Sequence, residues 1–469
     1  MLRWQQPPER VAVAMDNPGN PPDRGHLTAI GHRRLLALAV PIVLANLTQP
    51  ILSGVDTAVA GHLPGPASLG GVALGGLFFN FVLWGFGFLR MGTTGFVAQA
   101  QGARDWSGLR AILLRALLLA ACIGAVLLLL RTPLIDVALD LLGGSAEVRG
   151  NATAYSHARI WSAPATLGNY VVLGYLLGRQ RMRLGLLLQV VINVVNMALA
   201  LLFVFGFGWG VAGIGAATAG ADWAGLALGL VLLWRLRHPD LPAARWREVL
   251  ERRALFRLLL VNGDIFIRTL CLVASFGWFA HLGAGLGDTI LAANALLLNF
   301  QTFMAFGLDG FAHAAEALVG AAIGARDAPG LRRAIRLSLG WAFGGAAAFS
   351  AFYLLLGPSL IALLTDQPGI RATAAIYLPW AVLSPLVSVW SFQLDGVYIG
   401  ATRTRALRDS MALAAAGFLI ATLVLQPVFG NHGLWASLMI LMILRGATLG
   451  RWLGRIVIDP DQRLYDHVS

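Results

Sequence analysis

The sequence predicts an all-α polytopic membrane protein of twelve transmembrane helices in two parallel six-helix repeats. Three observations predict it. The 469-residue chain is 57% hydrophobic and only 12% charged, and its apolar stretches recur from end to end. No soluble domain of this size has such a composition. Its arginines gather in alternate short connectors between those stretches, and motifs of the first half return in the second.

Apolar spans fall at about 35–60, 70–100, 109–130, 152–177, 184–206, 211–234, 256–281, 289–323, 334–356, 372–400, 408–429 and 433–457. Residues 1–32 are Pro-rich and polar without an apolar core, so they read as a disordered cytoplasmic tail and not as a cleavable signal. Residues 33–237 form the first lobe, 238–254 the charged connector HPDLPAARWREVLERRA, and 255–458 the second lobe; 459–469 are a C-terminal tail. The net charge of +12 comes entirely from arginine, because the chain has no lysine. Arg33 and Arg34, Arg104 and Arg110, Arg179 to Arg183, the connector arginines, Arg326 to Arg336, Arg403 to Arg408, and Arg451 to Arg463 all fall on one side. The opposite loops hold only Arg131, Arg149 and Arg371. The excess marks the cytoplasmic side, so both termini are expected there, and it is not a nucleic-acid stripe. The two cysteines, Cys122 and Cys271, lie inside apolar runs and are expected as inert packing with no disulfide.

The halves repeat. Spans 2 and 8 each end in G-A-R-D, at Gly102–Asp105 and Gly324–Asp327. Leu77–Phe81 resembles Leu296–Phe300, and Pro164, Gly174, Gly178 and Arg181 match Pro385, Gly396, Gly400 and Arg403 at an offset of about 222. Six spans put the second half in the same orientation as the first, so the repeats are parallel.

Polar groups inside spans locate the function. Asp56 is the sole acid of span 1, in its outer third, beside Asn46 and Gln49. A carboxylate at that depth faces a water-filled path or a partner, for insertion scales set it at roughly 2.5–3.5 kcal/mol. The bland reading is a static ion pair with Arg159. Asn169 of span 4, Gln189, Asn193 and Asn196 of span 5, and Thr218 and Asp222 of span 6 extend a first-half cluster, although each Asn or Thr alone is often just an interhelical bond. Arg90 lies deep in span 2 before a small-residue GTTG, so it pairs with an acid of another helix or lines the cavity; Asp56, Asp222 and Asp309 are the candidate partners. Asp264 and Arg268 are four apart, which predicts an intrahelical pair beside Asn262. Asp309, His313 and Glu316 form one polar stripe on span 8. Asp395 is expected to meet Arg403 by snorkelling, and Arg445 sits mid-span without an evident partner.

Enzyme chemistry finds no support. No G-x-x-x-x-G-K-[ST] loop, HExxH or CxxC is present, and Ser, His and Asp gather in no catalytic order, so no cofactor or metal is expected.

VDTAVAGHL (Val55–Leu63), FLRMGTTGFVAQAQGA (Phe88–Ala103), LDGFAHAAEALVGAAIGA (Leu308–Ala325), LDGVYIGATR (Leu394–Arg403) and GNHGLW (Gly430–Trp435) resemble the DinF branch of the MATE multidrug exporters. The likeness runs from about residue 33 to 455. It implies the V-shaped MATE fold, two six-helix bundles around a central cavity, in the bacterial inner membrane. It also implies export of small amphipathic or cationic compounds in exchange for H⁺ by a monomer in the lipid bilayer. Asp56 then takes the place of the span 1 acid that links protonation to substrate, and Asn169, Asn196 and Thr218 resemble the polar groups around it. Ala200 replaces an acid found in many relatives one turn after the position of Asn196, so Asp222 is left as the supporting acid. The span 7 glutamate of Na⁺-coupled NorM-type members is not recognisable, and Asp264 and Arg268 occupy that region.

Other readings stay open. A Na⁺-coupled drug antiporter shares the fold. An organic-anion exporter would use Arg90 and Arg268, and a flippase for lipid-linked precursors would need a strongly cationic cavity. A non-transporting membrane scaffold sits badly with the repeat and the buried charge.

Overall fold

The computed structural model describes residues 30–236 and 246–458. The expected N-terminal tail up to residue 29, residue 237 with the first part of the connector (238–245), the C-terminal tail 459–469 and the side chain of Gln49 lie outside the described residues.

Every described element is helical. The first half comprises α1 (His32–Gly61), α2 (Pro66–Gly85), α3 (Phe88–Gly102), α4 (Trp106–Leu129), α5 (Arg131–Leu142), α6 (Ala146–Arg159), α7 (Ala163–Gly178), α8 (Met182–Leu201) and α9 (Gly210–Arg235). A short α10 (Trp246–Val249) precedes the second half: α11 (Arg252–Gly285), α12 (Asp288–Gly324), α13 (Ala328–Leu364), α14 (Pro368–Gly400), α15 (Thr404–Phe429) and α16 (Asn431–Ile458). Among the described residues, ten helical runs are long and apolar enough to cross a membrane. They coincide with ten of the twelve expected spans; α1 and the α6–α7 run stand outside that set.

Two expected spans are stepped. α2 and α3 meet at Phe86-Gly87, where the Phe86 and Gly87 amides each reach back only three residues, at 3.0 and 3.1 Å. Two glycines flanking Phe86 permit that tight turn. The α6–α7 run is interrupted at Ile160–Ser162, just after Arg159. α5 is a short helix that no span foresaw. Cys122 is exposed on the outer surface of α4 and Cys271 half-buried in α11, so the expectation of buried cysteines fails for Cys122; both thiols are free.

Within the first half α7 lies against α3, α4 and α9, and in the second α12 lies against α13 and α14. α1 runs between α8 and α12, and α3 crosses α12, so these two helices join the halves. The crossing is close because glycines line it. A Cβ on Gly102 would stand 2.0 Å from the Ala321 carbonyl oxygen, and one on Gly324 would stand 1.9 Å from that of Gln99. Gly320 faces Ala98 and Gly95 faces the Ile399 carbonyl in the same seam. Small residues let the backbones approach, and the gain is van der Waals contact and not hydrophobic transfer. Gln99 adds a bond to the Gly400 carbonyl at 2.9 Å. The seam lies at the arginine-rich end of the molecule.

The repeat is visible in the backbone. Arg104 and Arg326 have φ of 56° and 54°, and Gln180 and Thr402 have 56° and 52°. Each pair is 222 residues apart. The next residue of each G-A-R-D, Asp105 or Asp327, caps the following helix by accepting from Gly108 or Gly330 at 2.8 and 2.9 Å.

Candidate functional site

Two polar clusters lie within the helices, one in the first half and one centred on the second half, to which α3 adds Arg90. The first is built on α1, α6, α7, α8 and α9. Asp222 of α9 accepts from Thr166 of α7 at 2.5 Å. One turn further along α7, Asn169 donates to the Asp222 carbonyl at 2.9 Å. Asn196 of α8 donates to Thr218 of α9 at 3.0 Å, and Asn193 to Thr48 of α1 at 2.6 Å. Gln189 bonds Asn193 at 3.2 Å. Gly225 brings α9 close enough that its added Cβ would touch Ile192 and Asn169.

Arg159 of α6 lies near enough to Asp56 and Asp222 to act on both electrostatically, but among the described residues it forms an ion pair within 4 Å with neither. It is held by aromatic rings: its guanidinium stands 4.7 Å from the Phe79 ring centroid and 5.6 Å from that of Tyr155, and it donates to the Tyr155 hydroxyl. One guanidinium therefore acts on two carboxylates across a distance and bonds neither. Asp56 Oδ1, Asn169 Oδ1, Asn196 Oδ1 and Arg159 Nε are buried without a protein partner. Of the residues expected there, Asn169 is brought to Asp222, Asn196 to Thr218 and Gln189 to Asn193, with Thr166 and Thr48 added, while Asp56 makes no hydrogen bond to any of them. Thr166 and Asn169 are three apart on one helical face, a signal that was available. Asn46 departs from the expectation: it donates to the Phe306 carbonyl of α12 at 3.1 Å and so bridges to the second half.

The second cluster corrects three expected pairings. Arg90 of α3 donates to Glu316 of α12 at 3.3 Å, so its partner is not Asp56, Asp222 or Asp309. The expectation of an acid from another helix holds; the helix is right for Asp309 but the residue is two turns further along. Asp264 and Arg268 do not pair within α11. Asp264 accepts from Arg408 at 2.8 Å and Thr404 at 3.0 Å on α15. Arg268 instead reaches Asp395 on α14. Both face neighbouring helices that offer a full counter-charge, which an exposed i,i+4 contact would not match. Asp395, in turn, is bound by Arg268 and Arg445 and not by Arg403. Snorkelling serves a charge near water, whereas Asp395 is buried with two guanidinium groups beside it.

Asp309 faces Arg90, Arg268, Arg445 and Asp395. It and His313 are half-buried, while Glu316 is 2% exposed. Asp264 stands apart from this group, near the start of α15. Among the described residues no group of three His, Cys, Asp or Glu is arranged to hold a metal ion.

The MatE family model matches residues 41–221 and 265–428. DNA damage-inducible protein F of Escherichia coli K12 is 44% identical over 417 residues, covering 89% of this chain and 91% of that protein. Multidrug resistance protein PmpM of Pseudomonas aeruginosa is 28% identical, covering 91% of this chain and 92% of its own length. A solved outward-facing multidrug resistance MATE family transporter of the MOP superfamily superposes with a TM-score of 0.82 at 20% identity, over 92% of this chain and 97% of that one. A MOP superfamily transporter from Pyrococcus furiosus gives 0.81 at 19% identity, over 92% and 96%. Its members are transporters and not enzymes, and this chain, an all-helical polytopic membrane protein with the MATE fold, belongs to the MatE family.

Proposed function

We propose that the chain is a multidrug exporter of the bacterial inner membrane that antiports H⁺ against small amphipathic, often cationic, compounds. Its arginine-rich end is cytoplasmic, both termini lie there, and a monomer works by alternating access. The observation that carries the reading is the pair of acids Asp56 and Asp222 in the first-half cluster: Asp222 is held by Thr166, Asp56 Oδ1 has no protein partner, and the nearby Arg159 pairs with neither within 4 Å. One fixed cation leaves at least one of these two half-buried carboxylates without a counter-charge, and a mobile cation can supply it. A proton can do so in one state and a substrate cation in the other. The unsatisfied oxygens of Asp56, Asn169 and Asn196 line the same region and suit water or a polar substrate edge.

The multidrug names of the bacterial relatives support the substrate class. The second half supports H⁺ over Na⁺. Its buried acid Asp395 already holds two guanidinium groups, which leaves little carboxylate charge for a metal cation. Arg90, Arg268 and Arg445 are matched by Glu316, Asp395 and Asp309, so the interior is not the strongly cationic cavity a pyrophosphate flippase needs. Uptake of a lipophilic cationic dye into proteoliposomes tests the proposal. Transport should follow an imposed pH gradient and be absent with an imposed Na⁺ gradient alone; the reverse result overturns it.

A further inference from the structure

The Arg90–Glu316 pair is an ion pair between the two halves. Arg90 is on α3, Glu316 on α12, and they meet at 3.3 Å with side chains 12% and 2% exposed. It sits at one end of the glycine seam. Below it, toward the arginine-rich end, lie the Gly95–Ile399, Gly320–Ala98, Gly102–Ala321 and Gly324–Gln99 approaches. Nothing in the first-half cluster uses it. If α3 and α12 separate at that end, as alternating access requires, this pair must break.

We propose that Glu316 is a second proton-binding carboxylate of the transport cycle, and that its pair with Arg90 latches the arginine-rich end shut until Glu316 is protonated. The inference rests on the proton-coupled reading above and assigns that coupling a second, separate place.

Breaking a buried pair while both members stay charged leaves a lone charge in a dry seam, and that is strongly unfavourable. Arg90 cannot discharge, since a guanidinium keeps its proton in proteins. Glu316 can. The route to it is laid out on α12. Asp309, His313 and Glu316 form one stripe, and the first two are half-buried while the last is buried. His313 Nε2 is 4.0 Å from Glu316 Oε1, and its Nδ1 has no protein partner. A proton from cleft water passes along Asp309 and His313 to Oε1, on the side away from Arg90, which holds Oε2. Neutral Glu316 no longer holds Arg90, which keeps its charge and turns to water as the seam opens. The proton then leaves Glu316 to the newly opened side, and Arg90 pairs with it again.

The surroundings are charged on several sides. Arg90 approaches Glu316 from α3, Asp309 and His313 from α12 itself, and Asp395 from α14. Arg268 of α11 and Arg445 of α16 stand behind Asp395. Tyr170 of α7 faces Arg90. α1 contributes Asp56, on which Arg159 acts electrostatically. α13 contributes Arg332, Arg333 and Arg336, all exposed near its start. Glu316 is the one carboxylate of this set bound to a group of the other half.

Double electron–electron resonance tests the latch without substrate or ion gradient. Spin labels go on Ser107→Cys and Arg333→Cys, both exposed near the starts of α4 and α13, with Cys122→Ala and Cys271→Ala removing the native thiols. The wild-type sites should give a short distance at high pH and gain a longer one on acidification. Glu316→Gln should show the longer distance at every pH, its share of the ratio raised about tenfold over the parent at high pH. Arg90→Lys, which keeps the charge, should retain the acid response. Asp56→Asn should retain it as well, which separates this proposal from the first-half reading. A parent distance that ignores pH overturns the latch, as does a Glu316→Gln protein that still opens only in acid. The parent titration decides even if Glu316→Gln folds poorly.

Discussion

Arg445 of α16 and Asp395 of α14 form a buried ion pair, and Arg268 of α11 binds the same carboxylate oxygen. Three helices of the second half are thereby tied at one point. Arg445 is 1% exposed and also lies 5.7 Å from the Phe392 ring centroid, so its side chain is fixed by stacking as well as charge.

Removing the carboxylate therefore leaves two guanidinium groups without the acid that bonds them, and the more distant Asp309 cannot take its place. Asp395→Ala is expected to destabilise the protein by about 3–5 kcal/mol, the usual result of orphaning a buried charge. A lower thermal midpoint in detergent, read by size-exclusion fluorescence, checks it. A midpoint equal to the parent would mean that Asp395 does not hold the three helices together.

Asp56 has the opposite expectation. It has one oxygen without a protein partner, so it carries little structural burden. Asp56→Asn should abolish gradient-driven efflux while expression and thermal midpoint stay near those of the parent. Cells carrying Asp56→Asn that keep full resistance to a transported drug would remove Asp56 from the coupling.

The driving ion gives a third measurement. Efflux should collapse with a protonophore and be indifferent to replacing Na⁺ by K⁺. One proton moving down about 100 mV supplies roughly 2.3 kcal/mol, enough for more than tenfold accumulation. Strict Na⁺ dependence at constant pH would contradict the assignment.

The glycine seam predicts a sharp positional contrast. A Cβ at Gly324 meets backbone at 1.9 Å, whereas one at Gly340 meets nothing within 4 Å. Gly324→Ala should force α3 and α12 apart and lower stability by about 1–3 kcal/mol, as overpacking does. Gly340→Ala should be neutral or stabilising by up to about 1 kcal/mol, because alanine is the better helix former. Equal melting of the two variants would show that the seam is not tightly closed.

The repeat was legible because it is written in small, fixed features. Gly102 and Gly324 are where two backbones touch, and only glycine fits there, so their recurrence in the chain reports a recurrence in space. Asn169, Asn196 and Thr218 were also legible, since polar atoms inside apolar helices must find partners nearby. Partner choice was not legible. Glu316 and Asp309 lie on the same face of α12, and which one Arg90 reaches depends on where α3 crosses that helix. Asp264 and Arg268 share a helical face by spacing, yet α15 and α14 supply stronger partners to each. Such choices are set by helix rotation and crossing height, which span lengths and spacings do not contain. Arg445 shows the same limit, as its partner is 50 residues away on α14.

The left-handed residues at Arg104, Gln180, Arg326 and Thr402 have a mechanical consequence. Each ends a helix and leaves one residue before the next helix or its cap, so α3–α4, α7–α8, α12–α13 and α14–α15 are bent as stiff hairpins. A non-glycine residue in that conformation is held at a cost of about 1–2 kcal/mol, which only a well-determined turn sustains. The opposite end is joined differently: glycines with positive φ recur there, at Gly65, Gly143, Gly144, Gly208, Gly210, Gly287 and Gly430. The molecule is thus articulated on one side and riveted on the other. An inserted tag or an extra residue between Gly143 and Gly144 would be absorbed, while one added between Arg326 and Asp327 would rotate a 37-residue helix against its neighbour.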